Sequence, residues 1–246
     1  MKPLLSSLLL LIAFSLPAQA PTAVPIPQEP HHHLVLENDY VRVFRVSVPA
    51  HESTLLHQHD VPYLYVSLGP ADVINAVQGK PEAHLVMADG QLGYSPGHFA
   101  HIARNESNAP FNNVTIELLK PQAEPHNWCD KVVPNDPIDC RPATHDGAKL
   151  VPSFRTNEIK VFSDALDSKV ASKHEAFSDV LVVVLDGSKL DVSFDRHAEN
   201  LESGQVLWIP NHGDHEMRKL VFKNPRKGSS RYLLIFFDES AEARKS

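Results

Sequence analysis

The chain has 246 residues, a formal charge of −7 and 15 histidines, but only two cysteines. An acidic balance argues against nucleic acid and against anionic membrane surfaces as partners, because both are polyanions. The length fits one large or two small domains, and the 20 prolines with short Val-rich apolar runs favour β structure over helix.

The first twenty residues read as a targeting segment: Lys2, an apolar run from Leu4 to Leu16, then Ala18-Gln19-Ala20 as a small-residue cleavage signature. Cleavage after Ala20 would leave 226 residues with a charge of −8 in a secreted or periplasmic protein. That apolar run is short for a bilayer, and no later segment is a membrane-spanning candidate. Residues 21–33 follow as a Pro-rich extended arm carrying His31, His32 and His33, which could bind metal only loosely.

Strand signals fill residues 34–120. They run over Leu34–Leu36, Tyr40–Val48, Thr54–His59, Tyr63–Leu68, Ala71–Val77, Ala83–Met87, Gln91–Ser95, His98–Ala103 and Phe111–Leu119. Turn residues separate them, and no segment holds a helical period over three turns, so a barrel or sandwich is expected. Residues 121–149 are a linker rich in Pro and Asp, too irregular for regular structure, with Cys129 and Cys140 inside it. A disulfide between them is the natural reading in an oxidising compartment, stabilising by roughly 3 kcal/mol or less. Strand signals return over 150–240, at Val151–Phe154, Glu158–Phe162, Val180–Leu185, Leu190–Phe194, Gln205–Ile209, Arg218–Phe222 and Tyr232–Phe237.

Two features of this string carry chemistry. His57-Gln58-His59 places two imidazoles on one face of an extended strand, as part of a transition-metal site. Gly90 to His101 then recurs without a gap as Gly204 to His215, with five identities in twelve positions and an aromatic shared at Tyr94 and Trp208. The recurrence points to duplication of the whole scaffold. His98 and His212, repeated after a Pro, are read as bonding to a turn in preference to ligating metal.

These residues resemble the cupin superfamily, and in particular two-domain bicupins. His57 and His59 match the His-x-His of the first cupin motif, while Gly90, Pro96, Gly97, His101 and Asn105 match the second. The resemblance covers the mature chain apart from arm and linker, and implies an all-β fold of two tandem jelly-roll barrels. It implies His57, His59 and His101 as ligands of a divalent transition metal, iron first, with manganese, nickel, zinc and copper also compatible. Two departures matter. The motif's glycine is His51 here, and its glutamate position falls at Tyr63, so a carboxylate ligand is missing.

Tyr63 becomes the candidate catalytic residue, donating a hydrogen bond to bound oxygen or removing a substrate proton. In the second barrel His174 falls at the place of His57 and Ala176 at that of His59, with His215 as the remaining imidazole. A degenerate site and a stabilising role are expected there. Cupins with three-histidine sites include dioxygenases acting on diketones, thiols and dihydroxy-aromatic acids. The expected function is thus metal-dependent oxygenation of a small anionic or enolisable substrate, the alternative being a non-catalytic binding or sensing cupin. A homodimer is compatible with either.

Overall fold

The alternation seen in the sequence folds into strands that close on themselves twice. The computed structural model describes residues 22–140, 150–211 and 217–237. The expected signal segment, His145, His212 and His215 lie outside the described residues. The first unit contains β1 (Val24–Pro25), β2 (His32–Glu37), β3 (Val41–Val48), β4 (His57–His59), β5 (Tyr63–Ser67), β6 (Ala71–Val77), β7 (Ala83–Met87), β8 (Leu92–Ser95), β9 (Phe99–Asn105) and β10 (Phe111–Leu118). They form two five-stranded sheets, ordered β1-β4-β9-β6-β7 and β2-β3-β10-β5-β8.

The second unit contains β11 (His126–Asn127), β12 (Val151–Arg155), β13 (Ile159–Leu166), β14 (Ala171–Ala176), β15 (Asp179–Val184), β16 (Lys189–Phe194), β17 (His197–Glu202), β18 (Val206–Ile209), β19 (Arg218–Lys223) and β20 (Ser230–Phe237). Its sheets run β11-β12-β13-β20-β15-β18 and β14-β19-β16-β17. Apart from β1 and β11 at the edges, the two strand orders are the same. The fold is therefore a pair of tandem jelly-roll barrels. Strands β14 and β17 escaped the sequence reading because ASKHEA and HAENLE are poor in β-branched residues, and cross-strand pairing makes them strands regardless.

The barrels meet through the outer faces of β2-β3-β10-β5-β8 and β11-β12-β13-β20-β15-β18. Val43, Leu64, Val66, Val114 and Ile116 pack with Phe154, Val161, Leu181, Val183 and Ile235 in one continuous core. The contact is reciprocal about the repeat. A Cβ placed on Gly90 would touch Leu185 at 3.3 Å, and one on Gly204 would meet Leu68 at 2.8 Å. The repeat's aromatics also cross over, Tyr94 to Phe154 and Trp208 to Tyr40. Duplication has thus produced a self-complementary interface within one chain, as in a twofold dimer.

Two segments expected to be loose are built in. Val132, in the expected linker, is buried in the inter-barrel core, and the buried Asn127 amide donates to the carbonyls of Val133 and Asp136. Cys129 and Cys140 are bonded to each other. The expected extended arm instead lays β1 parallel to β4, turns through a 3-10 segment at Ile26–Gln28, and buries Ile26 in the first barrel with Phe44 and Val46.

Candidate metal centre

β4 and β9 are neighbours, and His57 stands directly opposite His101 in their register. Residues opposed across a strand pair share a face, as do residues two apart along a strand, so His57, His59 and His101 point the same way. Their ring centroids lie 4.4 Å apart for His57 and His101, and 5.1 Å from His59 to either partner. His57 and His59 are buried and His101 is half-buried. The turn that leads from β8 into β9 needs Gly97. It adopts φ +71°, and a Cβ there would lie 2.1 Å from the Val61 carbonyl oxygen. His98 follows in the same left-handed region, with its backbone N–H donating to the His59 carbonyl and its ring exposed.

Second partners set the tautomers. His57 Nδ1 donates to the Leu55 carbonyl at 2.9 Å, and His101 Nδ1 donates to Asn75 Oδ1 at 2.6 Å. Each therefore keeps its lone pair on Nε2, and both Nε2 atoms are buried without a hydrogen-bond partner. Orphaned ring nitrogens facing one another are costly unless something binds them. A metal ion is the group that this donor set fits, and imidazoles oriented by outer hydrogen bonds are how proteins usually present them. Burial pushes His57 down to about 4 and His101 to about 3, and lowers His59 further. The three rings are neutral at physiological pH, the state that ligation requires.

Tyr63 lies flat on His59, with centroids 4.1 Å apart and planes inclined by 19°. Phe99 closes another side, edge-on to His101. Burial raises the Tyr63 phenol well above its ordinary value, against a hydrogen bond with Ser95. A phenol held in its neutral form favours the hydrogen-bonding role expected of Tyr63 over removal of a substrate proton.

Three residues of the site were not anticipated, and a fourth, His32, was expected to bind metal only loosely. Glu117, on β10 opposite Tyr63, is fully buried, with one carboxylate oxygen 2.9 Å from Arg42 and the other 3.9 Å from His59 Nδ1. Burial pushes its carboxyl up while Arg42 holds it down. The carboxylate absent at the position of Tyr63 is present behind the His59 ring. Asn75 orients His101. The other two, His32 and Glu29, come from the arm. Donor atoms of His32, His57 and His59 lie within 4.8 Å of one another, and the His32 and His57 ring centroids are 4.7 Å apart. His31 and His33, by contrast, lie outside that cluster.

In the second barrel a described residue, Leu220, stands where His101 stands in the first. Asn105 donates to the carbonyls of Val48 and Ala109, and Asn224 donates to those of Leu166 and Gly228 in the same way. The copies are offset by 114 positions at Gly90 and Gly204 but by 119 at Asn105 and Asn224. Five extra residues between Ile209 and Arg218 thus put Leu220 at the place of His101. Indeed Leu220 pairs with His174 as His101 pairs with His57.

Comparison with known structures agrees with this fold. AerE from Microcystis aeruginosa is 12% identical, with a TM-score of 0.58 over 86% of this chain and 99% of that one. A salicylate 1,2-dioxygenase variant from Pseudoaminobacter salicylatoxidans, in complex with gentisate, is 12% identical with a TM-score of 0.59 over 90% and 78%. A cupin 2 conserved barrel domain protein from Leptotrichia buccalis is 10% identical, with a TM-score of 0.50 over 84% and 88%. No family model matches the chain, and no curated protein does. At these identities the likeness is one of fold, and the fold is that of the cupins.

Proposed function

We propose that this chain is a metal-dependent oxygenase acting on a small anionic or enolisable organic substrate, with the metal held by His57, His59 and His101. The carrying observation is the convergence of buried, neutral imidazoles with orphaned Nε2 atoms on His57 and His101. When bound, a divalent transition ion such as iron supplies a Lewis-acidic point at which substrate and dioxygen can meet. The residues around it do the rest. All-imidazole ligation leaves the ion's charge uncompensated, which favours a substrate that arrives as an anion. Tyr63 and Phe99 exclude water from the ring faces, and Tyr63 keeps its proton for donation. Asn75 and the Leu55 carbonyl hold two ligands in one tautomer.

Dioxygenases such as the salicylate 1,2-dioxygenase among the structural neighbours place an aromatic hydroxy acid first in the panel to be tried. An exported location accords with the Cys129–Cys140 disulfide. A second reading, metal or ligand binding without turnover, is favoured by one observation: His32 and Tyr63 both press on the imidazole cluster.

Metal analysis of protein purified from its own source, followed by oxygen uptake with gentisate, salicylate, a β-diketone and a thiol acid, separates these readings. Oxygenation requires a bound ion, oxygen uptake in air and substrate turnover that stops in anaerobic buffer. A bound ion with no uptake for any of them gives the second reading, and metal-free protein overturns the oxygenase.

A further inference from the structure

The arm ahead of the first barrel is anchored at both ends of a short span. Val24 donates its N–H to the Leu56 carbonyl at 2.9 Å, and β1 runs parallel to the strand that carries His57. Ile26 is buried in the barrel interior. On the far side, β2 joins the other sheet through β3. Between these anchors sits Glu29, only 1% exposed, with a carboxylate that is fully engaged. It accepts from the Leu55 N–H at 3.2 Å, the His31 N–H at 2.9 Å and His32 Nδ1 at 2.5 Å. With Nδ1 committed to Glu29, Nε2 is the nitrogen that His32 has left to offer.

We propose that the strap completes the metal centre: His32, oriented by Glu29, is a fourth imidazole ligand beside His57, His59 and His101. This rests on the metal centre proposed above and deepens it. Three observations converge. The donor atoms of His32, His57 and His59 group within 4.8 Å of one another, and His101, outside that group, joins it through its ring 4.4 Å from that of His57. A carboxylate behind a ligating imidazole fixes its tautomer and strengthens it as a donor. Placing an acid and an imidazole in a nearly dry pocket, against two further imidazoles, is expensive for a fold to do without a ligand in common. The carboxylate ligand that Tyr63 displaced from the core motif is thereby replaced by an imidazole from outside it. The consequence is a centre with fewer positions open to substrate than three ligands would leave, so small or monodentate substrates are favoured.

X-ray absorption of the cobalt-loaded protein counts imidazole rings. The expected count is four, falling by one in His32→Ala; a count that is the same in His32→Ala as in wild type overturns the role of His32 while leaving the three-histidine centre intact. If the protein takes up no cobalt, the metal centre itself fails. Titration with cobalt then adds affinity: His32→Ala is expected to bind at least ~10²-fold more weakly with an altered visible spectrum, and Glu29→Gln about 10- to 100-fold more weakly. Added imidazole should restore the wild-type spectrum to His32→Gly. A His32→Ala spectrum and affinity equal to wild type would also overturn the proposal.

Discussion

The two barrels share a strand order but have opposite interiors. In the first, one end is apolar around Phe44, Val46, Val73 and Met87, and the other is a cluster of imidazoles. In the second, the equivalent space is filled by Val180, Val182, Val192, Leu220, Phe222 and Leu234. Position by position, His59 becomes Ala176, His101 becomes Leu220, its orienting Asn75 becomes Val192, and Glu117 becomes Phe236. Ligand and orienter have changed together. An Asn left behind without its imidazole would be a buried, unsatisfied amide, so the pair is kept or discarded as a unit.

His174 alone survives at its place, and it has been given other work. Ser172 lies 2.7 Å from its Nε2, and Asp164, 3.6 Å away, accepts from the Tyr232 hydroxyl. Burial pushes Asp164 up, but its bonds with His174 and Tyr232 outweigh that and hold it below the ordinary carboxylate range. The lesson is that one scaffold supports either a ligand-ready polar cluster or a closed hydrogen-bonded one, according to which buried groups are left open.

The contrast is broken most directly by removing imidazoles. His57→Ala and His101→Ala should each reduce bound metal to background by elemental analysis, while His174→Ala leaves it at the wild-type level. Equal losses from all three variants would mean that the barrels do not differ as described.

Acid sharpens the same contrast. In metal-free protein the buried imidazoles of the first barrel stay neutral, at about 4 for His57 and about 3 for His101. In the unfolded chain they take protons near pH ~6.5. Below that pH the unfolded state binds more protons, so stability that is present at neutral pH drains away as pH falls toward 4. Each ring contributes up to about 1.4 kcal/mol per pH unit. Urea midpoints of chelator-treated protein should fall over this range, and less steeply for His101→Leu. A flat profile would show that the rings are not held neutral.

In the second barrel, Asp164→Ala strips Tyr232 and His174 of their partner. A loss of about 2–4 kcal/mol is expected by urea denaturation, with metal content unchanged. Loss of metal from this variant would contradict the division of labour between the barrels.

The smallest effect concerns the loop before β4. His51 stands in the left-handed region at φ +61°, where the resembling motif has glycine. Its ring bonds Asn108 at 2.9 Å. His51→Gly should relieve about 1 kcal/mol of backbone strain, less whatever that exposed bond contributes, and shift the melting temperature upward.

How far the sequence could be read follows from these particulars. His57, His59 and His101 were legible because strand parity is simple and their spacing matches a motif. Glu117 was not, since a polar residue alternating with Val, Ile or Leu looks solvent-facing, and Asn75, on the same strand face as Val73 and Val77, has no motif to single it out. Here the apolar face of β10 packs between the barrels and its polar face, with Asn113, Thr115 and Glu117, lines the barrel interior. His32 was hidden by its proline-rich surroundings, which read as an untethered arm. The only available signal was Ile26, an apolar residue among prolines. Leu220 was masked by the repeat itself, because a gapless match over twelve positions conceals a five-residue insertion that falls inside it, between Ile209 and Arg218.

Anomalous diffraction at the absorption edge of the bound metal tests the central claim most directly. The account expects one peak, enclosed by His57, His59 and His101, and nothing beside His174. A first barrel without density there, or a peak in the second barrel instead, would contradict it.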